Sequence, residues 1–450
     1  MPLAFVLESL FRRPQRLIFL VTAFLLTLSF STWFSLSPTS YDRVKTGLQF
    51  IPHPWQQGTH RPGPAANNAS SASANENYEA VQAAADMYVF NPKVPTTPSE
   101  LKEFGHKGYD GNFYPPEFIP SHANKALRAK AGFIVLVRNS ELAAMRESMR
   151  DVEDRFNRKY DYPWIFLNNE PFSDEFKAGV KQMTRAEVRF GLVDKKHWSY
   201  PSWIDQKKAA ETRRIMKEKG IVYGDSESYR HMCRFQSGFF FQHPLTMDLE
   251  YYWRVEPGIK LYCDIDYDPF VFMQMNNKTY GFTMALHEYL ETVPTLWQTS
   301  HDFIKLHPEY VAKDNGLHFM TDEPERGMDP GYNLCHFWSN FEIGDLRFWR
   351  SEAYTKYFDY LDKAGGFFYE RWGDAPVHSI AAILFLNRSR LHHFDDIGYH
   401  HVPWNHCPSN RKMYHDNSKC NCDPAKSFDR EGYSCLKEAW RTLYEGEPPK

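Results

Sequence analysis

The sequence lacks a large excess of either charge. Its 53 Lys and Arg stand against 56 Asp and Glu, for a net charge of −3 with histidine neutral. A chain devoted to nucleic acid carries a marked basic excess, so no nucleic-acid partner is expected. There is no G-x-G-x-x-G and no Walker-type phosphate loop, which argues against a dinucleotide or P-loop site. There is no internal repeat, which sets aside solenoids and propellers. Cysteine is scarce: seven residues are too few for a disulfide scaffold. Cys407, Cys420 and Cys422 include a C-x-C rather than the wider spacing of a structural zinc site. In an oxidising compartment disulfides are the expected use, one cysteine at least stays unpaired, and the pairing cannot be read from sequence.

What is abundant is aromatic. The 450 residues hold 12 Trp, 26 Tyr and 35 Phe, a load that suits platforms for sugars or bases and equally a large core. The N-terminus suggests an address. Arg12, Arg13 and Arg16 precede Leu17 to Phe34, 18 residues without a charge. A spanning helix needs roughly 20 apolar residues, so the run is just long enough. No small-residue cleavage site follows it, and the basic residues lie before it. We expect a cytosolic tail (1–16), a single-pass signal-anchor (17–34) and a lumenal stem (35–94). Residues 54–76 are rich in Pro, Gly, Ala, Ser and Asn without hydrophobic periodicity, the composition of a disordered tether. Asn68, Asn277 and Asn387 begin N-x-S/T acceptor triplets, which agree with a lumenal body.

From about residue 95 the pattern is continuous. Residues 131–137 (AGFIVLV) form an apolar run of buried-strand type. Leu142, Met145, Met149, Val152 and Phe156 then repeat at helical spacing, with Asn139 or Ser140 as the expected cap. Residues 163–167 and 187–193 read as two further strands, with a helix starting at Ser173 between them. Such alternation indicates a parallel sheet with crossovers. Ligands bind such sheets beyond the carboxyl ends of the strands, which places Arg138 beside a nucleotide by topology alone. Residues 251–256, 259–265 and 279–286 are strand-like, and Ser351 to Ala364 reads as a helix stopped by Gly365.

Two acidic elements close predicted strands. Glu256-Pro257-Gly258 ends YYWRVE, and Asp264-Ile265-Asp266 ends IKLYC. A carboxylate there can hold a divalent cation against a leaving diphosphate, whose extra negative charge the cation stabilises. The plainer reading of Asp264, Asp266 and Asp268 is a turn cap before Pro269. His392, His393, His400, His401 and His406 cluster with Asp395 and Asp396, and imidazole is the commonest metal ligand. Most of them are expected to be hydrogen-bonded or solvated. Glu342 lies among aromatic and amide residues, where a carboxylate can stabilise or attack an oxocarbenium-like centre. Asp374 reads as a helix N-cap.

Residues 228–245, 251–270, 332–351, 365–381 and 394–404 together resemble the fungal Golgi α-1,2-mannosyltransferases, block by block and in the same order. The resemblance implies an α/β, GT-A-like single large catalytic domain with a mixed central sheet, spanning 95–450. It implies GDP-mannose as donor, a mannosylated glycan as acceptor, Mn²⁺ as cofactor and retention of the α configuration. It maps the metal and nucleotide element to Glu256, not to Asp264–Asp266, with Gly258 at a third position that is acidic in some relatives. It puts the metal histidine in the block ending at His401, with His401 favoured over His400. Glu342 corresponds to the family's proposed nucleophile and Tyr229 to a tyrosine near the donor. A type II Golgi location fits the same family. Two other classes stand beside it: a metal-dependent lumenal hydrolase using the His/Asp cluster, and a catalytically silent mannose-binding lectin.

Overall fold

The computed structural model describes residues 97–108, 110–116 and 127–444. The expected tail, anchor, stem and Asn68 lie outside the described residues. Among the described residues, no helix is long and apolar enough to cross a membrane.

The first part of the body alternates as the apolar pattern predicts. Strand β1 (Ala131–Leu136), helix α1 (Leu142–Arg155), strand β2 (Trp164–Asn168), helix α2 (Asp174–Lys181) and strand β3 (Val188–Leu192) follow in order. The strands pair in parallel, which requires each helix to cross back over the sheet. Ser173 caps α2, its hydroxyl accepting from the Phe176 amide at 3.1 Å. Neither Asn139 nor Ser140 caps α1. A 3-10 turn over Asn139–Glu141 comes first, and the Asn139 side chain is used across the loop, donating to the Pro171 carbonyl and accepting from the Ser173 amide, each at 3.0 Å.

The rest of the chain adds helix α3 (Glu227–Gly238), strands β4 (Tyr251–Arg254), β5 (Lys260–Leu261), β6 (Tyr280–Phe282), β7 (Ala285–His287), β8 (Cys335–Phe337) and β9 (Glu342–Asp345). Helices α4 (Glu352–Ala364) and α5 (Asp374–Phe385) follow, then β10 (Leu391–His393), β11 (Tyr399–His401) and β12 (Trp404–His406). Seven strands form one sheet in the order β10-β6-β9-β4-β1-β2-β3. Strand β9 runs antiparallel to both neighbours and the other pairs are parallel, so the sheet is mixed. β5, β11 and β12 make a smaller antiparallel sheet.

Successive side chains of a strand point to opposite faces, and both faces of the large sheet are covered. Phe133, Val135, Trp164, Phe166 and Trp253 join α1 and α2 in one core. Ile134, Ile165, Leu167 and Tyr252 join α3, α4 and α5 in the other. Ser351 and Gly365 bound α4 as expected, with Gly365 in the left-handed region at φ 78°. Other expectations fail: the strand over 279–286 breaks into β6 and β7, which join different sheets. The strand over 259–265 shortens to Lys260–Leu261, because Cys263 leaves it to bridge to Cys420. Asp374 is the first residue of α5 rather than its cap, and Gly373 takes the cap position.

Candidate functional site

The site grows from the end of β4. Tyr252, Arg254 and Glu256 share one side of the chain by the two-residue period. Arg254 is the hub: its guanidinium donates to Glu256 Oε1 at 2.5 and 3.0 Å and to Asp374 Oδ2 at 2.5 Å. Ser339 also donates to Asp374, at 2.7 Å. The Asp374 side chain is therefore aimed at Arg254 and not at its own helix. Burial alone would raise the pKa of Glu256; Arg254 and His401 outweigh it and hold the carboxyl down at about 2. Asp374 is lowered for the same reason, burial being overcome by Arg254 and His378. Both acids stay ionised beside an open space.

That space is double. One cavity of about 420 Å³ is lined by Glu288, His336, Trp338, Arg371 and Asp374. A second, of about 380 Å³, is lined by Arg138, Asn168, Asn169, Ser228 and Pro257. Tyr223, Tyr229, Met232, Arg254, Glu256 and His401 line both, so they form the partition between them. A wider groove of about 850 Å³ along α1 and α2 contains none of these partition residues.

Glu256 and His401 face each other across the partition, Oε2 to Nε2, at 3.4 Å. His401 Nδ1 lies 3.1 Å from the Val402 carbonyl, which can only accept, so Nδ1 carries the hydrogen and Nε2 is left to face the carboxylate. Burial would lower the His401 pKa, and Glu256 more than reverses this, so the pair attracts positive charge between its members. A carboxylate oxygen and an oriented imidazole nitrogen suit a divalent cation that takes its remaining ligands from diphosphate and water. The residues therefore fit Mn²⁺. His400, the neighbour on β11, turns to the opposite side, its ring 6.2 Å from that of Tyr262, and lines neither cavity. Gly258 sits at φ 83° in the turn after Pro257, the left-handed region where glycine is favoured, and adds no carboxylate.

Glu342 is 1% exposed and lines neither cavity. Tyr252 and Tyr280 donate to its two oxygens at 2.8 and 3.0 Å, and His378 Nδ1 approaches Oε2 at 3.1 Å. His378 Nε2 lies 3.0 Å from the Gln236 carbonyl and must carry a hydrogen. Gly344 makes the arrangement possible. It pairs with Tyr252 on one side and Tyr280 on the other, and a Cβ there would meet the Tyr252 ring at 2.7 Å.

Tyr229, on α3, stacks on Tyr223 at 4.4 Å, and the Arg371 guanidinium sits 5.2 Å from its ring centre. Burial and Cys233 push its pKa well up against the pull of Arg371, so it stays a neutral donor. Arg138, at the carboxyl end of β1, is exposed, donates to the Ser228 hydroxyl at 2.7 Å and lines the second cavity. Asp264 and Asp266 lie away from both cavities, ion-paired with Arg155 at 2.6 Å and Lys419 at 2.8 Å. Only Asp268 caps the following helix, accepting from the Phe270 and Val271 amides.

The remaining histidines disperse. His406 pairs with Asp429 at 2.6 Å, and His393 packs against His406 with ring centres 5.3 Å apart. His392 is buried against Phe272 and Phe394. Cys263–Cys420, Cys335–Cys435 and Cys407–Cys422 are disulfides, and Cys233 is the free one, buried. Cys335 and Cys435 lie with His287 in a metal-like group, but bonded to each other they are not thiolate ligands. Asn277 and Asn387 are exposed. Sequence reasoning missed Arg254, Glu288, Arg371 and the cavity-lining role of Asp374. The one available signal was an arginine inside the aromatic strand YYWRVE, where a buried charge needs partners.

Comparisons with known proteins point to one family. The family model described as glycolipid 2-alpha-mannosyltransferase matches residues 103–443. Glycolipid 2-alpha-mannosyltransferase 1 of Candida albicans is 51% identical over 389 residues, covering 86% of this chain and 88% of the relative. Glycolipid 2-alpha-mannosyltransferase of Saccharomyces cerevisiae is 56% identical over 319 residues, 71% of each chain. Among solved structures, core-mannan synthase A of Aspergillus fumigatus in its Mn/GDP form is 43% identical with a TM-score of 0.66, over 71% of this chain and 86% of that one. The mannosyltransferase Ktr4p of S. cerevisiae in complex with GDP is 40% identical with a TM-score of 0.67, over 73% and 84%. The mixed α/β body is thus a glycosyltransferase fold, and the chain belongs to the glycolipid 2-alpha-mannosyltransferase family.

Proposed function

We propose that the protein is a retaining α-1,2-mannosyltransferase that moves mannose from GDP-mannose to a mannose residue of O- or N-linked glycans. The observation that carries the reading is the partition. Tyr229, Arg254, Glu256 and His401 stand between two cavities, as a transferase needs where donor and acceptor meet. The cavity bearing Arg138 and the carboxyl ends of β1 and β2 takes the nucleotide, and the cavity bearing Asp374 and Glu288 takes the acceptor. Glu256 and His401 would hold Mn²⁺, which would offset the charge of the departing diphosphate.

Retention follows either from two inversions through a mannosyl-enzyme or from attack on the face GDP leaves. The burial of Glu342, with both oxygens bonded, supports the second route. There the acceptor O2 bonds the anomeric carbon, the bond from that carbon to the diphosphate oxygen breaks, and the hydroxyl proton passes to that oxygen. Arg254 keeps Asp374 and Glu256 fixed and ionised, and Glu342 contributes negative potential from beneath. Tyr229, held neutral, donates to a phosphate or the acceptor. A membrane anchor over 17–34 with a lumenal body in the Golgi completes the proposal, and protease protection of sealed vesicles tests it.

The deciding experiment incubates the protein with GDP-mannose, Mn²⁺ and methyl α-mannoside. An α-1,2-linked disaccharide supports the reading. Free mannose released without acceptor, or binding without turnover, would move it to a hydrolase or a lectin.

A further inference from the structure

The mouth of the Glu288–Asp374 cavity is apolar in a way that one acceptor mannose does not explain. Val222, Tyr223, Tyr289 and Val402 line it while 53%, 57%, 45% and 69% exposed. Single exposed apolar side chains are common on soluble proteins, but four of them gathered at the mouth of one cavity mark contact with a ligand.

Their placement is ordered. Along one wall an aromatic series links the metal pair to the rim, from His401 to Trp338 (5.4 Å) and Trp338 to Trp404 (5.5 Å), and then through Tyr433 behind the lining (5.8 Å from Trp404) to Tyr289 (6.0 Å). On the other, Tyr223 stacks on Tyr229 within 9° of parallel. Tyr223 is held at φ 56°, a left-handed conformation that a bulky residue seldom adopts and that concentrates at functional sites. Between the walls the floor is polar. Arg371 lines it with its Nε unpartnered, beside Glu288 at 3.3 Å. The Glu288 carboxylate also accepts from the Tyr289 amide at 2.9 Å, which ties the rim to the floor.

We infer that Tyr289 and Tyr223 form a subsite for the second mannose of the acceptor chain, outside the mannose that receives the new bond. This rests on the transferase reading above. A pyranose offers one face of C–H groups, which meets the negative face of an aromatic ring, while its hydroxyls stay in water at the open mouth. The occupant is a sugar, because the apolar rim is continuous with the acceptor cavity and its floor is built for hydroxyls.

The test compares three acceptors with the full chain at saturating GDP-mannose: methyl α-mannoside, methyl α-1,2-mannobioside and octyl α-mannoside. One stacked contact predicts a kcat/KM about three- to tenfold higher for the mannobioside than for methyl mannoside. That ratio should fall toward one in Tyr289→Ala and in Tyr223→Ala, and be retained in Tyr289→Trp. A wild-type ratio of one overturns the subsite, as does a ratio that survives both alanine variants. An equal gain for the octyl glycoside, lost in Tyr289→Ala, overturns it in favour of a lipid-like aglycone. Absence of transfer to every acceptor would sink the transferase reading itself, which transfer at a ratio of one leaves standing.

Discussion

Glu256 and Asp264 lie in neighbouring stretches, each after a run that reads as a strand, and their fates are opposite. Glu256 follows the true end of β4, in the middle of the large sheet, where β11 brings His401 and α5 brings Asp374 through Arg254. Asp264 follows a strand that ended early, and it meets Arg155 at the surface, 54% exposed. The carboxylates are chemically the same. What separates them is the set of charges that other elements deliver, and whether water can replace that set. Glu342 is a third case, enclosed by two phenols and an imidazole without opening on either cavity.

The sharpest way to break the contrast is Arg254→Met. It would leave Glu256 and Asp374 facing each other without their cation, and losing one member of a buried ion pair costs about 3–5 kcal/mol. A urea midpoint close to wild type would mean that the hub is not what holds the site. Glu342→Gln comes next: a fall in turnover on the order of 10²–10³-fold with GDP affinity intact, measured by single-turnover kinetics and calorimetry. A mannosyl-Glu342 adduct seen by mass spectrometry with a slow donor would replace same-face attack by double displacement. Near-normal turnover would falsify any part for Glu342 in the chemistry.

His401→Ala should weaken Mn²⁺-dependent GDP binding by at least the ~10–100-fold that loss of even an outer metal partner costs. His400→Ala should leave it close to wild type, and the reverse ranking would move the ligand to the other side of β11.

A pH profile sharpens the difference between carboxylates that serve the cavity and those that serve the fold. Burial would lower the His406 pKa, but Asp429 more than reverses it and holds it at about 9, above its unfolded value of about 6.5. That stability is full below about pH 6.5 and is lost as pH rises toward 9. His393, held down at about 4 by burial and then by His406, acts in the other direction, costing stability as pH falls from about 6.5 to 4. Melting temperature followed across this range should decline on both sides, and Asp429→Asn should abolish the alkaline decline. The smallest effect is Asp264→Asn, within about 1 kcal/mol because solvent screens the pair, with GDP binding unchanged. Loss of GDP binding in that variant would reverse the contrast with Glu256.

Much of this protein is local and therefore written in its sequence. The β-α-β-α-β start, the Ser173 and Ser351 caps and the Gly365 stop depend on side-chain period and on backbone preferences that act within a few residues. Ordered blocks such as YYWRVEPG and GYHH carried the family, and with it Glu256, His401, Tyr229 and Glu342. Tertiary structure alone decided the rest. Asn139 gave up a cap for a partner in another loop, and Asp374 gave up one for Arg254. IKLYC lost most of its strand to the bridge with Cys420, and five clustered histidines separated onto three strands facing different neighbours. Each of these choices compares a local hydrogen bond with a charge or a packing partner more than a hundred residues away, or across a loop, and only the folded chain sets that distance.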